Sequence, residues 1–242
     1  TRSIAVTGVQ TCALPISFLA VLTPVLKVEL GATAADLAAA SGLWFLAFAL
    51  MQIPVGEALD RIGPRVTTAV LLAIGGAGGA AVFALATGPG AIKLAMVLIG
   101  IGCAPVLMAS YYIFARVYSP AVFGTLAGAV IGFGSLGNIA SSLPLSAAVG
   151  VFGWRGTLWA LAAATLVVAA AIAAFVRDPA RAEGAGKGSV LDVLKIPALW
   201  PVLAIMAVAY APAAGVRGLW TGPYFTDVFG ADAAAIGRAT LA

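Results

Sequence analysis

The stretch "PVGEALDRIGPR", Pro54–Arg65, closes one long apolar run and opens another. Each residue type in it has a physical reason to be there. Gly56 lets a helix end approach its neighbour closely. Asp60, at a helix terminus beside the membrane surface, calls for a positive partner, either an arginine or the positive N-terminal end of another helix. Gly63 permits a tight turn. Arg61 and Arg65 anchor the loop among anionic headgroups. The stretch therefore predicts a short charged hairpin between two helices whose remaining lengths are too greasy for water.

The rest of the chain agrees. It has 242 residues, of which 62% are hydrophobic and 9% charged, with a mean hydropathy of +1.10. A soluble domain carries roughly 25% charged residues, so this chain cannot coat a water-facing surface. Apolar runs recur at about the 20 residues that cross a bilayer as a helix. The predicted class is an all-α polytopic membrane bundle. Seven segments are expected, at about 18–26, 37–59, 66–86, 94–115, 122–151, 157–176 and 198–216, with an eighth starting near Ala233. The first is short, because Lys27 and Glu29 follow it, and the fifth is expected to break near Pro144. The net charge of +4 sits in loops and speaks for orientation rather than for nucleic-acid binding.

Loop charges alternate between two sides. Arg61, Arg65, Arg116, Arg177, Arg181, Lys187 and Lys195 fall on one, and Lys27, Lys93, Arg155, Arg217 and Arg238 on the other. The first set is the more basic, which makes it cytoplasmic. It also holds the polar stretch "RDPARAEGAGKGS", Arg177–Ser189, which is a linker by composition. There is no histidine, and of the two cysteines Cys103 lies in an apolar run. Histidine-based metal sites and Ser-His or Cys-His catalysis are thereby excluded from this sequence. No metal, cofactor or enzymatic role is expected.

The spacing Gly56, Asp60, Arg61, Gly63 and Arg65, between the second and third segments, resembles the signature loop of the major facilitator superfamily. "FGWR", Phe152–Arg155, looks like that family's turn into helix 6, and "LWTGPYFTDVFG", Leu219–Gly230, like the outer end of helix 7. The resemblance covers about residues 18–242. It implies an N-terminal six-helix bundle at 18–176, a central loop at 177–195, and the start of a second bundle at 196–242. It also implies an integral inner-membrane transporter of a small solute that works by alternating access, with the 56–65 loop biasing which side is open. Two departures stand out. Met96 takes the place of a frequent helix 4 arginine before Gly100 and Gly102, and helix 5 lacks the Gly-Pro pair of drug antiporters. Gly124, Gly128 and Gly132 instead give helix 5 a small-residue stripe suited to helix packing.

In such folds the site lies at the midplane. The polar and aromatic residues placed inside helices are Trp44, Gln52, Tyr111, Tyr112, Asn138 and Tyr210, and Arg217 near an outer helix end would suit an anionic solute. No carboxylate lies deep in a helix, so no proton relay is readable and a coupling ion stays open. A transporter-like sensor or receptor, and a membrane-embedded enzyme, are the rival readings. A full-length monomer is expected.

The start of the chain is out of keeping with all this. "VTGVQTCALPIS", Val6–Ser17, puts a polar run where the first helix should begin. It resembles a translated sequencing-library adapter, so residues 1–17 are expected to be non-biological and the first helix incomplete. The eighth segment stops at Ala242 without a polar end, so the sequence is expected to be a fragment, inactive alone.

Overall fold

A computed structural model of the chain describes residues 19, 21–140, 143–180, 195–205, 208, 224–225 and 228–230. Every regular element among them is helical. The chain divides into two compact units, Thr1–Ala180 and Arg181–Ala242.

Among the described residues the first unit holds six helical elements. They are α1 (21–30), α2 (Ala34–Arg61), α3 (Pro64–Ala84), α4 (Pro89–Val117), α5 (Pro120–Ala140) and α6 (Leu143–Phe175). Their starts are chemically explicit. Thr33 caps α2 through a reciprocal box: its hydroxyl accepts from the Asp36 N–H at 3.1 Å, and the Asp36 carboxylate accepts from the Thr33 N–H at 3.1 Å. Elsewhere a proline stands in the first turn, where its missing N–H costs nothing: Pro64, Pro89, Pro120 and Pro144. Among the described residues four helices are long and apolar enough to cross a bilayer, Ala34–Arg61, Pro64–Ala84, Pro89–Val117 and Ala147–Phe175.

Three features differ from the sequence expectation. Helix α1 runs on through Lys27 and Glu29, because both side chains reach solvent from an exposed face. The loop expected between 151 and 157 is reduced to a turn at Gly153 (φ 69°, ψ 166°) inside α6, whereas the fifth segment does break near Pro144, α5 ending at Ala140 and α6 beginning at Leu143. Helix α3 is not uniform: Leu72–Ala77 widens into a π-helical segment between two α-helical stretches. The π segment coincides with Gly75 and Gly76, which press against Gly102 of α4. A Cβ added at Gly75 would stand 2.6 Å from the Gly102 nitrogen.

The core lies in patches around α4. Leu22, Leu26, Trp44, Phe83, Met96 and Trp154 belong to a buried cluster that draws on α1, α2, α3, α4 and α6. A second joins Leu72, Val106, Ile172 and Val176, and a third joins Val55 and Leu59 of α2 to Ala104 and Ala109 of α4. In the second unit, residues 199–205 are helical, and the rings of Tyr224, Phe225 and Phe229 lie 5.6–5.9 Å apart. The adapter-like segment, residues 181–194 and the eighth segment fall outside the described residues, as do Tyr210 and Arg217.

Candidate functional site at the charged end of the bundle

Helix α2 ends at Arg61 and α3 begins at Pro64, so the quoted loop is a turn of two residues, Ile62 and Gly63. Gly63 has φ 108°, a conformation that a side chain strains. It has a second reason to be glycine. A Cβ there would lie 2.9 Å from the carboxylate of Asp178, which arrives just past the end of α6. That carboxylate accepts the backbone N–H of Arg65 at 2.8 Å, so an anion sits on the exposed N-terminus of α3. The Arg65 Nε donates to the Ala173 carbonyl at 2.6 Å, near the end of α6.

The other half of the loop ties to α4. Arg116 Nη2 donates to Asp60 Oδ1 at 3.3 Å, and the same guanidinium stacks 3.8 Å from the ring centre of Tyr112. Asp60 thus has the arginine partner its position calls for. Arg61 reaches Glu57, one turn back, at 2.7 Å on an exposed face. Gly56 is less tight than expected, since an added Cβ would only touch Met108 Sδ at 4.0 Å. At this motif end, then, α2, α3, α4 and α6 are joined by charge-assisted bonds around one turn.

The far end of the bundle is tied as well. Lys93 Nζ donates to Asp36 at 2.7 Å, linking the starts of α4 and α2. Trp154 is buried, and its Nε1 donates to Glu29 of α1 at 2.7 Å. Arg155 donates to the Ala84 carbonyl at 2.7 Å and stacks 4.3 Å from the Trp154 ring, so "FGWR" fastens α6, at its Gly153 turn, to the ends of α1 and α3.

The midplane residues separate. Trp44 is buried at 4% exposure, stacked on Phe48, and its indole N–H has no partner among the described residues. Gln52 is half-buried and donates to the Phe48 carbonyl of its own helix at 3.1 Å. Tyr111 is half-buried with its ring 6.0 Å from Phe123. Asn138 lies in α5, but its side chain is outside the described residues. A small cavity lined by Leu72, Gly76, Ala80, Ile99, Cys103, Leu161 and Thr165 separates α3, α4 and α6, and none of those midplane candidates lines it. Met96, where an arginine is frequent, is buried in the apolar cluster of Trp44. Among the described residues every carboxylate stands near a helix end, and none forms a group of three suited to a metal.

Two charged helix ends, a two-residue turn between long apolar helices and the Asp60–Arg116 tie together make up the motif end. The sequence model described as Major Facilitator Superfamily matches residues 7–241. The chain belongs to that superfamily. A comparison with curated proteins finds no match. Membership in the superfamily, together with the four long apolar helices, makes this a multi-pass integral membrane protein of a transporter family.

Sequence reasoning missed Asp178, Asp36 and Glu29 as partners. Asp178 had a local signal, an aspartate followed by proline directly after an apolar helix. Glu29 had none, because its partner lies 125 residues away.

Proposed function

We propose that this superfamily member is a secondary-active transporter of a small solute that works by alternating access, with the 56–65 loop as part of its gate. The observation that carries the reading is the pair of ties at the motif end. Asp60 to Arg116, and the start of α3 to Asp178, bring four helix ends under the control of one charged turn. Ties of this kind hold the four helix ends as one body, which a bundle that rocks as a unit about a central site needs at the end that carries its charged turn. Gly56, Asp60, Arg61, Gly63 and Arg65 are the gating residues of this proposal. The solute contacts are assigned to Gln52 and Tyr111, with Trp44, Asn138, Tyr210 and Arg217 as the further members. Arg217 favours an anionic solute, with or without a coupling ion.

The motif end is assigned to the cytoplasmic side of an inner membrane, because Arg61, Arg65, Arg116 and Arg177 gather there. A cysteine at Ile62, which is 55% exposed, tests this in a cysteine-free background. It should react with an impermeant maleimide in inside-out vesicles and not in intact cells. Reaction in intact cells would reverse the orientation. For transport itself the test is solute uptake into proteoliposomes across a panel of small anions, in the full-length protein and in its Asp60→Asn variant. Saturable uptake that Asp60→Asn lowers at unchanged membrane insertion supports the gate. Undiminished uptake in Asp60→Asn removes the gating role, and binding without uptake moves the protein to a sensor.

A further inference from the structure

We infer that α2 and α4 form a single lever, pinned side by side at both ends, so that the two helices bend together and never slide or part. The two helices run in the same direction. At the far end Lys93 is bonded to Asp36 at 2.7 Å, across a sequence separation of 57. At the motif end Arg116 is bonded to Asp60 at 3.3 Å, across a separation of 56. The near-identical separations mean that both helices climb through almost the same number of residues between the pins. There is no slack in either one.

Between the pins the helices touch through backbone. A Cβ added at Gly100 would stand 2.6 Å from the Trp44 carbonyl oxygen and 3.3 Å from the Ala47 Cβ. Closer to the motif end Gly56 faces Met108. Sliding either helix by one residue would carry a side chain into the Gly100 contact and draw both ion pairs apart together.

Each helix also carries an interior proline between the pins, Pro54 in α2 and Pro105 in α4. A proline removes one rung of the hydrogen-bond ladder and makes its helix a place to bend. Two such helices joined at one end would bend separately. Joined at both ends, they can bend only as a pair. Ion pairs that still reach solvent, as these two part-buried ones do, contribute little stability by themselves, and what they fix is register. Each is reinforced locally. Asp36 is held by the Thr33 capping box, and Arg116 lies over the Tyr112 ring.

The test reads distance and moves no solute, so its failure is distinct from a failure of the transport proposal. In a background with Cys12 and Cys103 replaced, spin labels go on exposed Ala35 and Gly90 near the far-end pin. A second pair goes on Glu57 and Val117 near the motif-end pin, 59% and 55% exposed. The purified chain in lipid nanodiscs should give one narrow distance distribution for each pair. A broad or double distribution at either end overturns the lever. Lys93→Gln keeps the capping box and should broaden only the far-end distribution, while Lys93→Arg should leave it narrow. Arg116→Gln and Arg116→Lys should do the same at the motif end. Unchanged distributions in both glutamine variants would show that the ion pairs are not the pins and would equally overturn it.

Discussion

Helices α4 and α5 both carry glycines at short spacing, and the bundle uses them in opposite ways. Gly100 and Gly102 of α4 lie against the backbones of α2 and α3, and a methyl group added at either would strike main-chain atoms. An added Cβ at Gly124, Gly128 or Gly132 of α5 would meet no described atom within 4 Å, and all three are exposed. In a membrane, where lipid tails are as apolar as leucine, small residues matter because they let backbones meet. Spacing marks a face that could do this. Only the presence of a neighbour decides whether it does.

The sharpest way to break the contrast is Gly102→Ala. The atoms in its way are the Gly75 and Gly76 backbone of the π segment, which cannot swing aside as a side chain can. Overpacking a well-filled contact costs about 1–3 kcal/mol and occasionally more. This variant should lie at or above the top of that range, read as the midpoint of unfolding in detergent. A near-neutral Gly102→Ala would mean that α3 and α4 stand further apart than described. Gly100→Ala should cost somewhat less, about 2 kcal/mol, since the Trp44 carbonyl is the main obstacle and α2 can retreat from it.

Gly63→Ala comes next and has two causes. The residue holds φ 108°, and a new Cβ would push on Asp178. Backbone strain of that kind costs on the order of 1–3 kcal/mol. The same variant should loosen the turn between α2 and α3, measured as faster amide exchange at Arg65. Asp178→Asn should speed that exchange without the strain, and equal exchange in both variants would assign the whole effect to the lost anion.

Much of this architecture is legible in the sequence, for a definite reason. Apolar length and first-turn prolines are local properties, so the long helices and their starts can be read directly. The charged turn can be read because Gly56 to Arg65 are contiguous. What it binds cannot. Arg116 and Asp178 reach it from 56 and 113 residues away, and no local pattern records such a pairing. The same holds for Trp154 and Glu29. The π segment was also hidden, since Gly75–Gly76 in an apolar run is equally compatible with an ordinary helix pressed against a neighbour. Trp44 shows a second limit of the same kind. The sequence places an aromatic residue with an N–H in mid-helix, but not the buried apolar cluster it joins with Leu22, Leu26 and Met96.

Trp154→Phe measures the far-end tie together with a modest loss of packing. The smaller ring stays near Phe83, gives up part of the buried indole's contacts and loses one N–H bond to a carboxylate. Glu29 is exposed and can turn to water, so the loss should be about 2 kcal/mol. A much larger effect would mean that Arg155, which stacks on the same ring, moves with it.

The smallest effect closes the comparison from the other side. Gly128→Ala puts a methyl group on the open face of α5, where no described atom waits for it. Two terms remain. Alanine holds a helix better than glycine by about 1 kcal/mol, because glycine loses more backbone freedom on ordering. Against this stands only contact with detergent or lipid, which a methyl group does not disturb. The variant should therefore unfold at the same temperature as the parent or slightly above it. A clear loss of stability would show that the α5 stripe is covered in the assembled protein. The glycines of α5 would then be doing what Gly100 and Gly102 do, against a surface outside the described bundle.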